Sequence, residues 1–496
     1  MSSDLFQEIT LPTGVTYKQP LGLFINGQWV KTEETLDTFN PATEEKIASV
    51  YVAGVNEVDQ AVVGARAAFK KWKNVPGSEK ATYVNKLADI LEKNTDLISA
   101  VEALDTGKPF ESNCKADIEG TVEYLRYCAG WSDKILGKTI PISANKIALT
   151  KRTALGVCGQ IVPWNYPLSM SGWKIAPALA AGNCIIIKSA ENTPLSLLLF
   201  ATFVEEAGFP AGIVNIISGH GAVAGKRLAE HPDIDKIAFT GSTKVGSLIQ
   251  QYASSNMKAV TLECGGKSPL IVFEDADLEQ AAKWAAFGIF YNSGQNCTAN
   301  SRIYLQESIH DKFLEIFTEV IKKDYQLGEP FAAETSVGPV ISKVQYDRIK
   351  QYIEIGKSEG AKLLVGDEPI AFEKGYYINP TVFINCNQDM KIIQDEIFGP
   401  VVAVSKFQTE EEVIEKANDS IYGLASMLFT KDISRANRVA DELEAGMTYI
   451  NSSNDEDIKV PFGGVKMSGI GRELGENGIE LYTQVKAVHI NIGTKL

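Results

Sequence analysis

Between residues 155 and 273 the chain alternates short β-rich runs with helical ones, and no other feature limits its fold so strongly. Strands are expected at 157–162, 184–187, 214–217, 236–239, 259–262 and 270–273. Helical spacing of apolar residues is clearest at 195–207, 222–231 and 243–255. Strands joined through helices run parallel, so the series predicts a doubly wound α/β sheet. Such sheets hold ligands beyond the carboxyl ends of their strands. A second α/β unit is expected from about 266 to 464, with strands at 401–407 and 448–451 and helices at 345–358 and 411–417. At 496 residues the chain needs more than one core.

Ahead of this series, Asn26-Gly27 reads as the turn of a hairpin within 21–31. Helical spacing follows at 58–72, 80–93, 97–104 and 112–135, a scaffold without evident chemistry. Residues 140–152 and 487–492 alternate like extended segments. Exposed strands of this kind invite pairing with another chain, so both are expected to meet a second subunit.

A net charge of −14 without a lysine/arginine cluster argues against nucleic acid and anionic membrane surfaces as partners. No run of about 18 apolar residues predicts a membrane span. The N-terminal MSSDLFQEITLPTG is acidic and lacks the features of a secretory signal or a mitochondrial presequence. The cysteine count is odd, at seven, and no C-x-x-C occurs, which suggests neither a disulfide framework nor a zinc site. A reducing, cytoplasmic setting fits. Thr494-Lys495-Leu496 is close to a peroxisomal address, but threonine is not the preferred residue there, and it is read as a chance match.

Cys297 stands in FYNSGQNCTANSR, a polar run between an expected helix at 277–290 and an expected strand at 303–305. A thiol on such a loop can be approached by a substrate, whereas a structural thiol sits among apolar neighbours. In VTLECGGKSP, Glu263 ends a β-rich run beside two glycines, so its carboxylate can face a cleft. Gly219-His220-Gly221-Ala222-Val223-Ala224-Gly225 has one residue too many for the standard dinucleotide fingerprint. Phe239-Thr240-Gly241-Ser242 is better placed, at a strand end that opens a helix whose amides can hold a phosphate. Lys188 and Glu191 follow another strand end.

The Cys297 and Glu263 stretches together resemble the nucleophile and general-base motifs of the aldehyde dehydrogenase superfamily, over about 21–489, and most of all its fungal cytosolic, NAD-linked members. Cys264 stands where leucine is usual. The resemblance implies an atypical Rossmann cofactor domain at 1–136 and 154–262, an α/β catalytic domain at 263–465, and oligomerisation arms at 137–153 and 480–496 in a homodimer or homotetramer. It implies Cys297 as nucleophile, Glu263 as general base and Asn165 as oxyanion donor. It places NAD against Val162, Pro163, Trp164, Lys188, Glu191, Gly221, Gly225, Phe239, Thr240, Gly241, Ser242, Leu262, Glu396 and Phe398. A carboxylate bonds a ribose 2′-hydroxyl but repels a 2′-phosphate, so Glu191 argues for NAD over NADP.

No metal site is expected, and none of the four histidines adjoins a catalytic motif. The alternatives are an NADP-linked enzyme and a non-catalytic protein that keeps the fold. The substrate expected is a small aliphatic aldehyde such as acetaldehyde. Tyr166, Trp173, Tyr291 and Phe462 are expected to line its tunnel, with Asp455, Glu456 and Asp457 at the mouth favouring a cationic aldehyde such as 3-aminopropanal. The competing reading is a solvated acidic loop in which Lys459 offsets one charge.

Overall fold

A computed structural model of the chain describes residues 3–496. Met1 and Ser2, at the start of the N-terminal stretch considered above, lie outside it. Among the described residues two large sheets dominate. The first has a parallel centre in the spatial order Ala259–Glu263, Lys236–Thr240, Val157–Ile161, Cys184–Lys188, Val214–Ile217. Strand order therefore reverses between Val157–Ile161 and Lys236–Thr240, which places a topological switch point at their carboxyl ends. The hairpin Leu23–Ile25/Gln28–Val30 adds antiparallel strands at one edge, with Asn26 and Gly27 both at positive φ as its two-residue turn requires. Gly469–Ile470 closes the other edge.

The second sheet runs Lys362–Val365, Thr381–Ile384, Val401–Phe407, Arg302–Gln306, Pro269–Val272, Ala425–Phe429, Met447–Ile450, parallel except for its first strand. Here two sequence expectations for one strand part ways, membership of the first series and of the unit starting near 266. The last strand of the expected series, Pro269–Val272, does not join the first sheet but sits in the middle of the second. The chain crosses between sheets within Cys264–Ser268. Both sheets are buried on each face: Cys184–Lys188 in the first and Ala425–Phe429 in the second are buried at every residue, as parallel strands covered by helices must be.

Several elements differ in detail. Residues 140–152 are not one extended segment but a hairpin, Thr139–Ser143 and Lys146–Ala154, with the chain turning back at Ala144-Asn145, where asparagine favours a turn. Thr483–Asn491 pairs along the whole of the second strand. The helix expected at 222–231 is a wider π turn, Gly221–Gly225, running into Lys226–Glu230. The buried helix Pro167–Ala181 was not legible, since it is apolar all round and lacks a 3.6-residue stripe. It starts with proline at its first position and ends at Gly182 with φ +91°, the expected punctuation. Among the described residues no helix is long and apolar enough to cross a membrane.

Candidate active site

At the switch point the chain leaves Val157–Ile161 through Val162-Pro163-Trp164-Asn165-Tyr166, and leaves Lys236–Thr240 through Gly241-Ser242. These segments form one wall of a cavity of about 510 Å³. The opposite wall comes from the second sheet, and from the less usual end of it. Cys297 precedes Arg302–Gln306 and Glu396-Ile397-Phe398 precedes Val401–Phe407, so both lie at amino ends of parallel strands. The first sheet thus presents carboxyl ends to the cavity and the second presents amino ends.

The Cys297 loop is held tightly. Asp277 caps the helix Leu278–Phe290 before it, accepting from the Gln280 N–H. Asn292, Ser293 and Gly294 then take left-handed φ values of 50°, 54° and 69°. Two non-glycine residues in that region store strain, and side chains hold it. Ser293 Oγ donates to Gly338 O at 2.8 Å, and Gln295 Oε1 accepts from the Ile341 N–H at 2.9 Å. Asn165 Nδ2 reaches across to Gln295 O at 2.9 Å, so the loop from the first sheet touches the thiol loop of the second.

Glu263 ends its strand at the cavity. It is 4 % exposed, and neither carboxyl oxygen has a hydrogen-bond partner among the described residues. Burial raises its pKa well above the usual range, and the charge of Glu473 adds to this. Cys297 is half-buried. Burial raises its thiol pKa too, reinforced by the carboxylates of Glu396, Glu263 and Glu456. The adjacent glycines explain how these groups fit. A Cβ on Gly265 would lie 2.2 Å from Glu396 Oε2, and one on Gly266 would lie 2.5 Å from the Cys297 carbonyl oxygen. Glu396 Oε1 accepts from the Gly266 N–H at 3.0 Å.

The cavity also gathers Pro163, Trp164, Thr240, Gly241, Ser242 and Phe398. The Trp164 and Phe398 rings meet edge to face, with centroids 5.3 Å apart. Ser242 caps the eleven-residue helix Thr243–Ala253, whose N-terminus opens there. Lys188, Glu191, Gly221 and Gly225 form a separate cluster beyond the next strand. The Gly221 N–H donates to Glu191 Oε1 at 2.6 Å, and Gly225 lies against the Lys188 methylenes. Lys188 is 3 % exposed, and burial lowers its pKa to about 8. Val162, Phe239 and Leu262 are buried behind these groups. A buried lysine, a carboxylate at a strand end and a helix N-terminus at the switch point fit a dinucleotide.

Tyr166, Trp173, Tyr291 and Phe462 also line the cavity, with Trp173 and Phe462 centroids 4.9 Å apart. The acidic loop is only partly there. Glu456 lines the cavity and accepts from Tyr449 Oη at 3.1 Å. Burial of its carboxyl raises the pKa, against the Tyr449 hydrogen bond. Glu456 is exposed as a residue, like Asp455 and Asp457 beside it, and only its carboxyl is desolvated by the cavity; Asp455 and Asp457 are not part of the lining, which corrects the expectation for Asp455. The tight turns after Ile450 send successive side chains in different directions, with Asn454 at φ 52° and Asp457 Oδ1 accepting from the Lys459 N–H.

Sequence reasoning missed Asp117, Gln345 and Arg348 in the lining, and the buried pair Lys174–Glu473 behind it. Lys174 Nζ lies 2.6 Å from both Glu473 Oε1 and Thr240 Oγ1. No local pattern marks these residues.

As a class, a doubly wound sheet with a cavity at its switch point belongs with the nucleotide-binding enzymes. The aldehyde dehydrogenase family profile matches residues 29–488, and the chain belongs to that family. It is 65 % identical to an aldehyde dehydrogenase-like protein of Schizosaccharomyces pombe over 100 % of both chains. It is 53 % identical to aldehyde dehydrogenase (NAD(P)+) 1 of Saccharomyces cerevisiae, over 98 % of this chain and 99 % of that one. The NAD+ complex of aldehyde dehydrogenase from Bacillus cereus superposes with a TM-score of 0.93 at 47 % identity, covering 95 % of this chain and 97 % of that one.

The raised thiol pKa has a direct readout. Alkylation of Cys297 by iodoacetamide in the enzyme without cofactor is expected to climb steadily with pH past the ordinary cysteine value of about 8.5. A plateau near neutrality, followed by peptide mass spectrometry, would contradict the electrostatics described here.

Proposed function

We propose that this enzyme oxidises aldehydes to carboxylic acids with NAD, through a covalent Cys297 intermediate that water releases with Glu263 as general base. The observation carrying this reading is the buried Glu263 carboxyl, without a partner, facing the same cavity as Cys297. Cys297 releases its proton to solvent, its thiolate Sγ attacks the aldehyde carbon, and the carbonyl electron pair moves to oxygen. Asn165 Nδ2 donates to that oxyanion, with the Cys297 N–H as second donor. Bound NAD supplies a hydride acceptor at the nicotinamide, and loss of hydride leaves a thioester on Cys297. Glu263 takes a proton from water, the hydroxide adds to the thioester, and the acid departs as the thiol re-forms.

Cys297→Ala is expected to abolish turnover while NAD binding persists. Glu263→Gln is expected to accumulate acyl-enzyme and lose steady-state turnover by roughly 10²–10⁴-fold. Near-normal turnover in Glu263→Gln would place the base elsewhere.

Glu191 Oε1 accepts from the Gly221 N–H, and this anchoring supports the reading of Glu191 as the ribose-binding carboxylate. NAD is expected to be preferred, and Glu191→Thr is expected to relax this. Equal kcat/KM for NAD and NADP in the wild type would count against the reading and favour a dual-cofactor enzyme.

Small aliphatic aldehydes, acetaldehyde among them, are the substrate class proposed, with short aminoaldehydes alongside. Glu456 carries the second part, because Asp117 is already paired with Lys108. With one carboxylate rather than three, the preference for 3-aminopropanal over propanal should be modest. It should shrink in Glu456→Gln and in ~0.5 M salt; a ratio of kcat/KM values unchanged by both would leave the loop as surface.

The three-stranded sheet of Thr139–Ser143, Lys146–Ala154 and Thr483–Asn491 is assigned as the oligomerisation surface. It leaves Ile140, Ile142, Ile147, Val485 and Ile490 exposed. A homodimer or homotetramer would cover them.

A further inference from the structure

Lys108 lies outside the cavity, yet its ammonium touches three parts of the wall. Nζ donates to the Asp117 carboxylate and, at 3.1 Å, to the carbonyl oxygen of Asn165. It also sits 4.1 Å from the centroid of the Tyr166 ring and 3.7 Å from Glu102 Oε1. The residue is 2 % exposed. Burial works against its charge, but Asp117 and Glu102 outweigh this and hold the pKa above the ordinary lysine value. Glu102 is itself raised to about 7, chiefly by burial, and its Oε2 accepts from the Leu168 N–H at 3.2 Å.

The Asn165 carbonyl lies in a connection between strand and helix, where no ladder partner is available. Two side chains serve instead: Lys108 Nζ, and Asn292 Nδ2 at 3.1 Å. Asn292 belongs to the left-handed turn before Cys297. Both sides of the oxyanion geometry are therefore tied to one carbonyl. The Asn165 side chain spends one N–H on Gln295 O, which leaves its second for the cavity it lines. A shift of the Asn165 peptide would carry that amide away from the carbonyl oxygen of an aldehyde attacked by Cys297.

We propose that Lys108 is a positioning residue for oxyanion stabilisation: its buried ammonium fixes the Asn165 peptide and thereby the reach of the Asn165 amide. This rests on the reading of Asn165 as oxyanion donor. The competing role is purely structural, with Lys108 present only to neutralise Asp117 and Glu102.

A double-mutant cycle on the full-length enzyme separates the two roles. Lys108→Met/Asp117→Asn removes the ammonium together with one buried anion, so the cluster is not left with two unpaired carboxylates. Lys108→Arg keeps a cation. Each is made alone and with Asn165→Ala, and three quantities are read: the NADH burst rate with propanal, the KM for propanal, and NAD affinity by tryptophan quenching. Lys108→Met/Asp117→Asn is expected to slow the burst by roughly 10–10²-fold, with NAD affinity and KM within about twofold. Lys108→Arg is expected to recover most of that loss. Adding Asn165→Ala is expected to slow the Lys108→Met/Asp117→Asn enzyme no further than Asn165→Ala alone. Losses that multiply, a normal burst in Lys108→Met/Asp117→Asn, or a parallel loss of NAD binding would each overturn the proposal. A normal burst in Asn165→Ala alone would remove the oxyanion reading and this proposal with it, whereas a slow one beside a normal Lys108→Met/Asp117→Asn would remove only the proposal.

Discussion

The rest of the structure depends on how closely the backbone passes at Gly265-Gly266. Within five residues the chain leaves one parallel sheet and enters another, and at that crossing two groups press against it. The Glu396 carboxylate occupies the space a side chain on Gly265 would take, and the Cys297 carbonyl does the same at Gly266. Protein interiors have no slack for an added methyl at 2.2–2.5 Å from such atoms. The two glycines therefore bring together a strand end bearing Glu263 and a loop bearing Cys297. They do so between sheets that share no central strand.

This crossing also explains why the site uses opposite ends of its two sheets. The first sheet offers carboxyl ends at a switch point, where helix amino termini favour a negatively charged ligand. The second offers amino ends, where the chain is still entering its strands and can be bent into strained turns without breaking a ladder. Asn292 and Ser293 adopt left-handed conformations there, and the hydrogen bonds of Ser293, Gln295 and Asn292 hold them. Arg302, fully buried, fixes the following strand through the Lys267, Lys416 and Ala417 carbonyls.

The cavity is electrostatically lopsided. Glu263, Glu396 and Glu456 face it without a side-chain cation bound to them, and each is pushed toward its neutral form by burial. Burial raises the Cys297 thiol in the same way, and whatever charge these carboxyls carry adds to it. Asp117, also in the lining, and Glu473, behind it, are by contrast paired with the buried Lys108 and Lys174. The three unpaired glutamates are thus left responsive to whatever enters the cavity, while the paired charges are settled. Removing one partner of such a buried pair would leave an uncompensated charge, so these pairs are coupled to the fold as well as to the site.

Much of this was legible in the sequence. Apolar runs alternating with helical spacing determined the parallel sheets. Asn26-Gly27 determined a hairpin, and Phe239 to Ser242 marked a strand end opening a helix. Motif likeness picked out Cys297, Glu263 and Asn165, and the structure brings all three to one cavity. Local patterns could not decide which sheet Pro269–Val272 would join, because a fully buried strand looks alike in either. They could not tell that Asp455 and Asp457 point away while Glu456 lines the cavity, since three consecutive carboxylates are equivalent until the backbone turns beneath them. Nor could they find Lys108, Asp117, Lys174 or Glu473, whose partners are distant in sequence or lie on other elements. Periodicity and motif are properties of neighbours along the chain, and the sequence alone therefore determined elements and the reactive residue types. Which buried charges pair, and which carboxyl is left without a partner, depends on contacts between distant segments, and only the tertiary structure decided it.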